Sequence, residues 1–338
     1  MALVLGRAAL LATLFASCSA PQPSRGVLGF SYASHEANDP VNLMGASRVD
    51  SVIIVALDGT RWQDVFGDEA LMPTLHRWMT TDGVGFGAPG HGEVWASGPN
   101  YVSLPGYTEI LTGRTSACHD NYCRRVAVPT LVDQITSVGG DAAVVSSWEL
   151  IERAAAREPT RATLSAGRHV VGRTDGIDES VLAEGRKSEA YPGIDDYRPD
   201  ALTARTALSL LDKRLPRLAF FGLGDTDEYA HHNDHEHYTQ ALRAADAFFS
   251  ELEKRITPRT VVFVTADHGR SAGFTDHGGG YRESGRVWLA VRAPCLSARG
   301  LQNDWLYLRD IAPTARCLLG MPADGSNEAG HPIARLCD

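Results

Sequence analysis

Five short stretches of the chain are apolar without interruption. They are "SVIIVAL" (51–57), "AAVVSS" (142–147), "LAFFGL" (218–223), "TVVFVTA" (260–266) and "VWLAVRA" (287–293). A strand with one wet face alternates apolar and polar residues, whereas a continuous run marks a strand buried on both faces, as in parallel sheets. Helical patterns separate the runs. "LPGYTEILTG" begins one, and "VPTLVDQITSVGG" is a second, closed by glycines. "RPDALTARTALSLLDKRL" precedes the third run, the amphipathic "HYTQALRAADAFFSELEKRI" precedes the fourth, and "LRDIAPTARCLLG" is the last long one. Alternating strand and helix predicts an α/β fold: a doubly wound, mostly parallel sheet with helices on both faces.

No low-complexity linker or internal repeat divides residues 48–338, which suits one large domain. Residues 157–200 are polar and turn-rich and are expected to form an insertion at the sheet edge or over a site. Residues 1–20 have Arg7, an apolar run from Ala8 to Ala16 and then small residues. That run is too short for a bilayer-spanning helix and reads as a signal peptide. "FASC", ending at Cys18, resembles a bacterial lipoprotein cleavage box, and cleavage after Ala20 is the alternative. Both imply export, to the periplasm or as a lipid-anchored protein of a bacterium, with no spanning segment in the mature chain. Residues 21–47 read as a linker.

The net charge of −9 argues against a nucleic-acid-binding surface. It leaves an anionic substrate open, because bound metal ions reverse the local field. In an oxidising compartment Cys118 and Cys123 of "CHDNYC" are close enough to close a small disulfide loop. Cys295, Cys317 and Cys337 cannot all pair with one another, which leaves a buried free thiol as an expectation.

Ligand sites in open α/β sheets form at the carboxyl ends of the strands. The first run ends in Asp58-Gly59, the third in Gly224-Asp225-Thr226-Asp227 with His231 following, and the fourth in Asp267-His268-Gly269. His277 lies shortly beyond, in "FTDHGGG". Any one of these aspartates alone is more simply a turn or capping residue. Three carboxylates delivered to one end of a sheet repel one another unless a cation joins them. An Asp/His donor set suits zinc, or manganese or iron, better than calcium. Asp227 and His231, at i and i+4, can face one ion from a single helical turn. His232, His235 and His237 read as a solvated face. In "NYVSLPGYTEILTGR", Ser103 opens a helical pattern, where it is an N-cap on its own account. Beside a metal set it becomes a nucleophile at a helix N-terminus that favours anions.

These motifs, in this order, resemble the alkaline phosphatase superfamily, in its branch nearest the nucleotide pyrophosphatase/phosphodiesterases. "VIIVALDGTRWQDVF", "SLPGYTEILTGR", "DEYAH", "TADHGR" and "DHGGG" correspond to that branch's metal and nucleophile motifs over roughly residues 50–320. The resemblance implies an alkaline phosphatase-like fold and two divalent metal ions. Asp227, His231 and His277 would hold one ion. Asp58, Asp267 and His268 would hold the other, with Ser103 Oγ as a further ligand. It implies a metal-dependent phosphoric ester hydrolase, cleaving mono- or diesters through attack by Ser103 and a covalent phosphoseryl intermediate.

The pattern departs from the branch in places. Gly106 stands where Asn is usual, so the oxyanion contacts expected are the Leu104 N–H and Asn100. Tyr107 stands where sulfatases need Arg, and Asp58-Gly59 where they carry a double Asp, which ranks a sulfatase lower. The stretch between Ser103 and Asp227 also lacks room for the extra domain of a cofactor-independent phosphoglycerate mutase. A phosphotransferase, or a catalytically weak binding protein for a phosphorylated glycan or lipid, is the competing reading. The substrate expected is a small-molecule, glycan or lipid phosphoester.

Overall fold

The computed structural model describes residues 48–326 and 329–337. The signal segment, its Cys18 and the linker to residue 47 lie outside the described residues. Nine strands make the main sheet: β1 (Ser51–Leu57), β2 (Gly83–Phe86), β4 (Ala142–Ser146), β5 (Thr163–Ala166), β6 (Val170–Val171), β7 (Leu218–Leu223), β8 (Thr260–Thr265), β10 (Leu289–Arg292) and β11 (Gly300–Gln302). Three two-residue strands, β3 (Val94–Trp95), β9 (Arg286–Val287) and β12 (Leu306–Tyr307), form a second small sheet. The main order is β11-β2-β10-β8-β1-β7-β4-β5-β6. β8, β1, β7, β4 and β5 are parallel, and β1, β7 and β8 are buried at every residue, as continuous apolar runs demand.

The fifth apolar run departs from expectation. β10 runs antiparallel to both β8 and β2. An apolar run signals burial on both faces but not direction. The chain between β8 and β10 contains no α-helix long enough to carry it back across the sheet, so it returns antiparallel.

Successive residues of a strand point to opposite faces, and β7 shows how this fixes the layers. Phe220 meets Tyr107 edge-on at 5.8 Å, docking the Ser103–Thr112 helix on one face. Its neighbour Phe221 meets Phe248 at 6.0 Å, docking the His235–Glu253 helix on the other. Trp78 packs on Phe249 at 5.4 Å and adds the Pro73–Thr80 helix to that second face. Residues 157–200 build β5, the edge strand β6 and the Glu179–Lys187 helix, and then lead to Asp200 beside the end of β7. Cys118 pairs with Cys123 and Cys317 with Cys337. Cys295 is also disulfide-bonded, so the expected leftover thiol is corrected: no described cysteine is free.

Candidate active site

β8, β1 and β7 are neighbours in the sheet, and their carboxyl ends lie side by side: Leu57 pairs with Leu223, and Ala56 with Thr265. The residues that follow are therefore brought together by register alone. Asp58, Asp267 and His268 form one triad of donor atoms within 4.8 Å of one another, all buried. Asp227, His231 and His277 form a second, with His231 the most exposed member. Asp227 and His231 occupy one helix, Asp225–His231, as the i, i+4 spacing requires. The start of that helix is anchored by Asp200, which accepts from the Gly224 and Asp225 N–H groups at 2.7 and 3.0 Å.

The two triads adjoin. The His268 and His277 rings stack at 3.9 Å. Each ring's Nδ1 is turned to a backbone carbonyl, that of Gly269 at 2.8 Å for His268 and of Tyr101 at 3.0 Å for His277. That leaves Nε2 of both facing the carboxylates, the orientation in which imidazole binds a metal. His268 Nε2 lies 3.2 Å from Asp58 Oδ1 and 3.5 Å from Asp267 Oδ2. His231 Nε2 lies 3.1 Å from Asp227 Oδ2.

The electrostatics of the first triad fit a divalent cation, while Asp227 of the second already has a cationic neighbour. Asp267 Oδ1 accepts from the Gly59 N–H at 3.1 Å, but Oδ2 is buried with no hydrogen-bond partner. Burial, then the Asp58 charge, pushes the Asp267 carboxyl well above the carboxylate range. Burial alone would lower His268, but Asp267 and the other carboxylates push it up to about 10. Burial and the His268 charge lower His277 to about 3, so it stays a neutral donor. Burial would raise Asp227, yet the Arg270 guanidinium and the neighbouring imidazoles hold it well below the usual range. A carboxylate that keeps its proton, beside an imidazole that gains one, describes a first triad short of positive charge.

Ser103 is the first residue of its helix and is nearly buried, with Oγ 3.4 Å from both Asp58 Oδ1 and His268 Nε2. Gly106 permits this approach: a Cβ there would sit 2.3 Å from the Asp267 carbonyl oxygen. A side chain such as the expected Asn is therefore excluded at 106. The two expected oxyanion contacts both have partners within the protein. The Leu104 N–H is already engaged by Asn121 Oδ1 at 2.9 Å. Asn100 is turned away, donating to the His119 carbonyl and accepting from the Gly279 N–H.

Asn121 itself went unnoticed in the sequence. It sits inside the Cys118–Cys123 loop and lines the cavity over Ser103. With Oδ1 bound to Leu104, its Nδ2 donors are left for the cavity. Tyr107, seen in sequence only as a missing Arg, donates to Asp58 Oδ2 at 2.8 Å and so orients Asp58. Arg270, directly after the Asp-His-Gly motif, binds Asp227 Oδ1. His232, His235 and His237 stay outside both triads, on the Pro192 carbonyl, the Phe274 ring and Asp234.

The cavity above Ser103 has a volume of about 290 Å³ and is walled partly by Trp148 and Glu149, which follow β4, and by Ile194 and Tyr197 from the 157–200 segment.

The model of the family described as Type I phosphodiesterase / nucleotide pyrophosphatase matches residues 52–281, from β1 to just past His277. A phosphopentomutase of Symbiobacterium thermophilum is 29% identical over 158 residues, 44% of this chain and 39% of that protein. The chain thus spans about two fifths of that curated relative. Among solved structures, wild-type alkaline phosphatase PafA superposes with a TM-score of 0.61 at 13% identity, over 86% of this chain and 99% of that one. The phosphonate monoester hydrolase of Agrobacterium radiobacter gives 0.60 at 14% identity, over 85% and 77%. At these identities the likeness is one of fold.

Proposed function

This chain belongs to the type I phosphodiesterase / nucleotide pyrophosphatase family and has an alkaline phosphatase-like fold, and from that premise we propose that it is an exported dimetal hydrolase of phosphoric esters with Ser103 as nucleophile. The observation that carries the reading is the placement of Ser103 Oγ against two adjoining Asp/His triads.

Asp58, Asp267 and His268 would hold one divalent ion and Asp227, His231 and His277 the other, with zinc the first candidate and manganese or iron next. Bound there, the ions supply positive charge that lowers the hydroxyl pKa and offsets charge on the transferred group. Ser103 Oγ attacks phosphorus, the bond from phosphorus to the leaving oxygen breaks, and the alcohol departs with a proton. A water then displaces Ser103 and restores the hydroxyl. Tyr107 keeps Asp58 turned towards Ser103 through both steps. Asn121 Nδ2 donates to a non-bridging oxygen, with its amide plane fixed by the Leu104 N–H. The disulfides Cys118–Cys123 and Cys317–Cys337 support an oxidising compartment, in keeping with export.

The test compares purified wild type with Ser103→Ala for metal content and for turnover of p-nitrophenyl phosphate, its diester and its sulfate. Near two ions per chain, and phosphoester turnover lost in Ser103→Ala, is the expected result. Turnover of the sulfate alone would move the protein to the sulfatase reading. Turnover unchanged in Ser103→Ala would overturn the nucleophile.

A further inference from the structure

The walls of the cavity have a chemistry that phosphoryl transfer does not use. Beyond the two triads the lining contains three more carboxylates, Glu149, Asp195 and Glu228, and no lysine or arginine. Glu149 and Asp195 line the same cavity as Asp58 and Asp227, so carboxylates run from its floor to its rim. Nearby guanidinium groups are engaged elsewhere. Arg270 is buried behind Asp227, and Arg153 lies outside the lining, on the Cys123 carbonyl at 3.2 Å and Glu152 at 3.9 Å, with part of its charge reaching Glu149. Trp148 and Tyr122 supply aromatic surface to the same lining. Tyr122 is 89% exposed, an unusual position for a large ring on a disulfide-closed loop. Glu149 Oε2 is shielded from solvent and has no hydrogen-bond partner, although its side chain borders the cavity. A buried acceptor left without a partner is unfavourable, and a cationic ligand would satisfy it.

A second phosphate or a sulfate on the substrate would face this wall and be repelled. A nitrogen cation would be attracted by the carboxylates and by the aromatic faces. We propose that the mouth of the cavity is a specificity pocket for phosphoesters whose organic group carries a quaternary or protonated amine, with Glu149 and Asp195 as counter-charges and Trp148 and Tyr122 as the aromatic wall. The proposal rests on the phosphoester reading and names the substrate class of that site.

Two measurements keep the two ideas separate. Turnover is compared for p-nitrophenyl phosphorylcholine and its neutral isostere p-nitrophenyl 3,3-dimethylbutyl phosphate. The expected kcat/KM ratio is tenfold or more in favour of the cation, carried mainly by KM and reduced by salt. Glu149→Gln and Asp195→Asn each narrow that ratio several-fold, a quantity internal to each variant and independent of how much protein folds. Binding of phosphocholine and of 3,3-dimethylbutyl phosphate to Ser103→Ala is followed by tryptophan fluorescence, with phosphocholine binding at least tenfold tighter. Equal binding of the two probes, or a ratio unmoved by Glu149→Gln, overturns the pocket even if p-nitrophenyl phosphate is hydrolysed. Selective binding of phosphocholine without turnover of any ester upholds the pocket and overturns the hydrolase.

Discussion

Arg270 donates through Nη1 to Oδ1 of Asp227 from a side chain with no solvent exposure, so one carboxylate of the second triad already has a fixed positive partner. Gly59, at φ +59°, makes room for the pair. A Cβ there would lie 2.2 Å from Asp227 Oδ1 and 2.7 Å from Arg270 Nη1. The same guanidinium donates to the Phe274 and Thr275 carbonyls and so ties down the loop leading to His277. Removing it strands a buried carboxylate and two carbonyls. Arg270→Met is expected to lower metal-free stability by about 2–4 kcal/mol. It also removes a charge that opposes a cation at Asp227. Added zinc should therefore raise the melting temperature of the variant more than that of wild type. Thermal melts of chelated and zinc-loaded protein check both parts.

Tyr107 gives a cleaner probe of orientation. Tyr107→Phe keeps the ring packed on Phe220 but leaves Asp58 Oδ2 without its donor. Turnover should fall about 10- to 100-fold, the usual effect of removing a partner behind a metal-binding carboxylate. Metal content by mass spectrometry should fall with it, and an unchanged kcat and metal content would refute the assignment.

Asn121→Ala removes the amide that faces the cavity and frees the Leu104 N–H. If Asn121 Nδ2 stabilises charge in the transition state, kcat should drop by about 10²-fold with a smaller change in KM. Mild reduction of Cys118–Cys123 should produce a weaker loss in the same direction, because the loop that holds Asn121 loses its covalent closure. Steady-state kinetics with and without reductant test this. A KM effect alone would assign Asn121 to binding only.

Glu109 governs a pH effect on stability. It is buried in the Ser103 helix and accepts from the Ser97 hydroxyl and N–H and from the Arg309 N–H, yet burial still raises its carboxyl to about 7. The native state therefore binds more protons at Glu109 than the unfolded chain does between pH 4.5 and 7. Its contribution to stability is fully present below about pH 4.5 and is lost as pH rises through about 7. One proton limits the slope to about 1.4 kcal/mol per pH unit. Glu109→Gln should flatten the pH dependence of urea unfolding in that window. An unchanged profile would show that the carboxyl titrates normally.

The positions of the two triads were legible because Asp58, Asp227, Asp267 and His268 follow closely on apolar runs and His231 sits one helical turn beyond Asp227, while His277 stood out only as the histidine of the next loop. Strand direction was less legible: the 287–293 run shows burial, while its antiparallel course depends on a connection without a crossover helix. Short strands such as Gly83–Phe86 and Val94–Trp95 carry too few residues for a period to show. Asn121, Tyr107 and Arg270 were hidden for another reason. Their roles lie in contacts with Leu104, Asp58 and Asp227, which are remote in the chain or reached only through the fold. Local pattern can mark Asn121 only as a turn residue between two cysteines.

The placement of β1 between β7 and β8 has a further consequence for the life of the protein. The central strand is made early, yet β7 is made about half the chain later and β8 later still, so β1 stays unpaired at its edges through about half of synthesis. Until those late strands dock, the members of the two triads are separate side chains on a fluctuating polymer. Assembly of the two triads is then a late event of folding rather than a nucleus for it, and any ion they hold would be captured only after the finished sheet has formed.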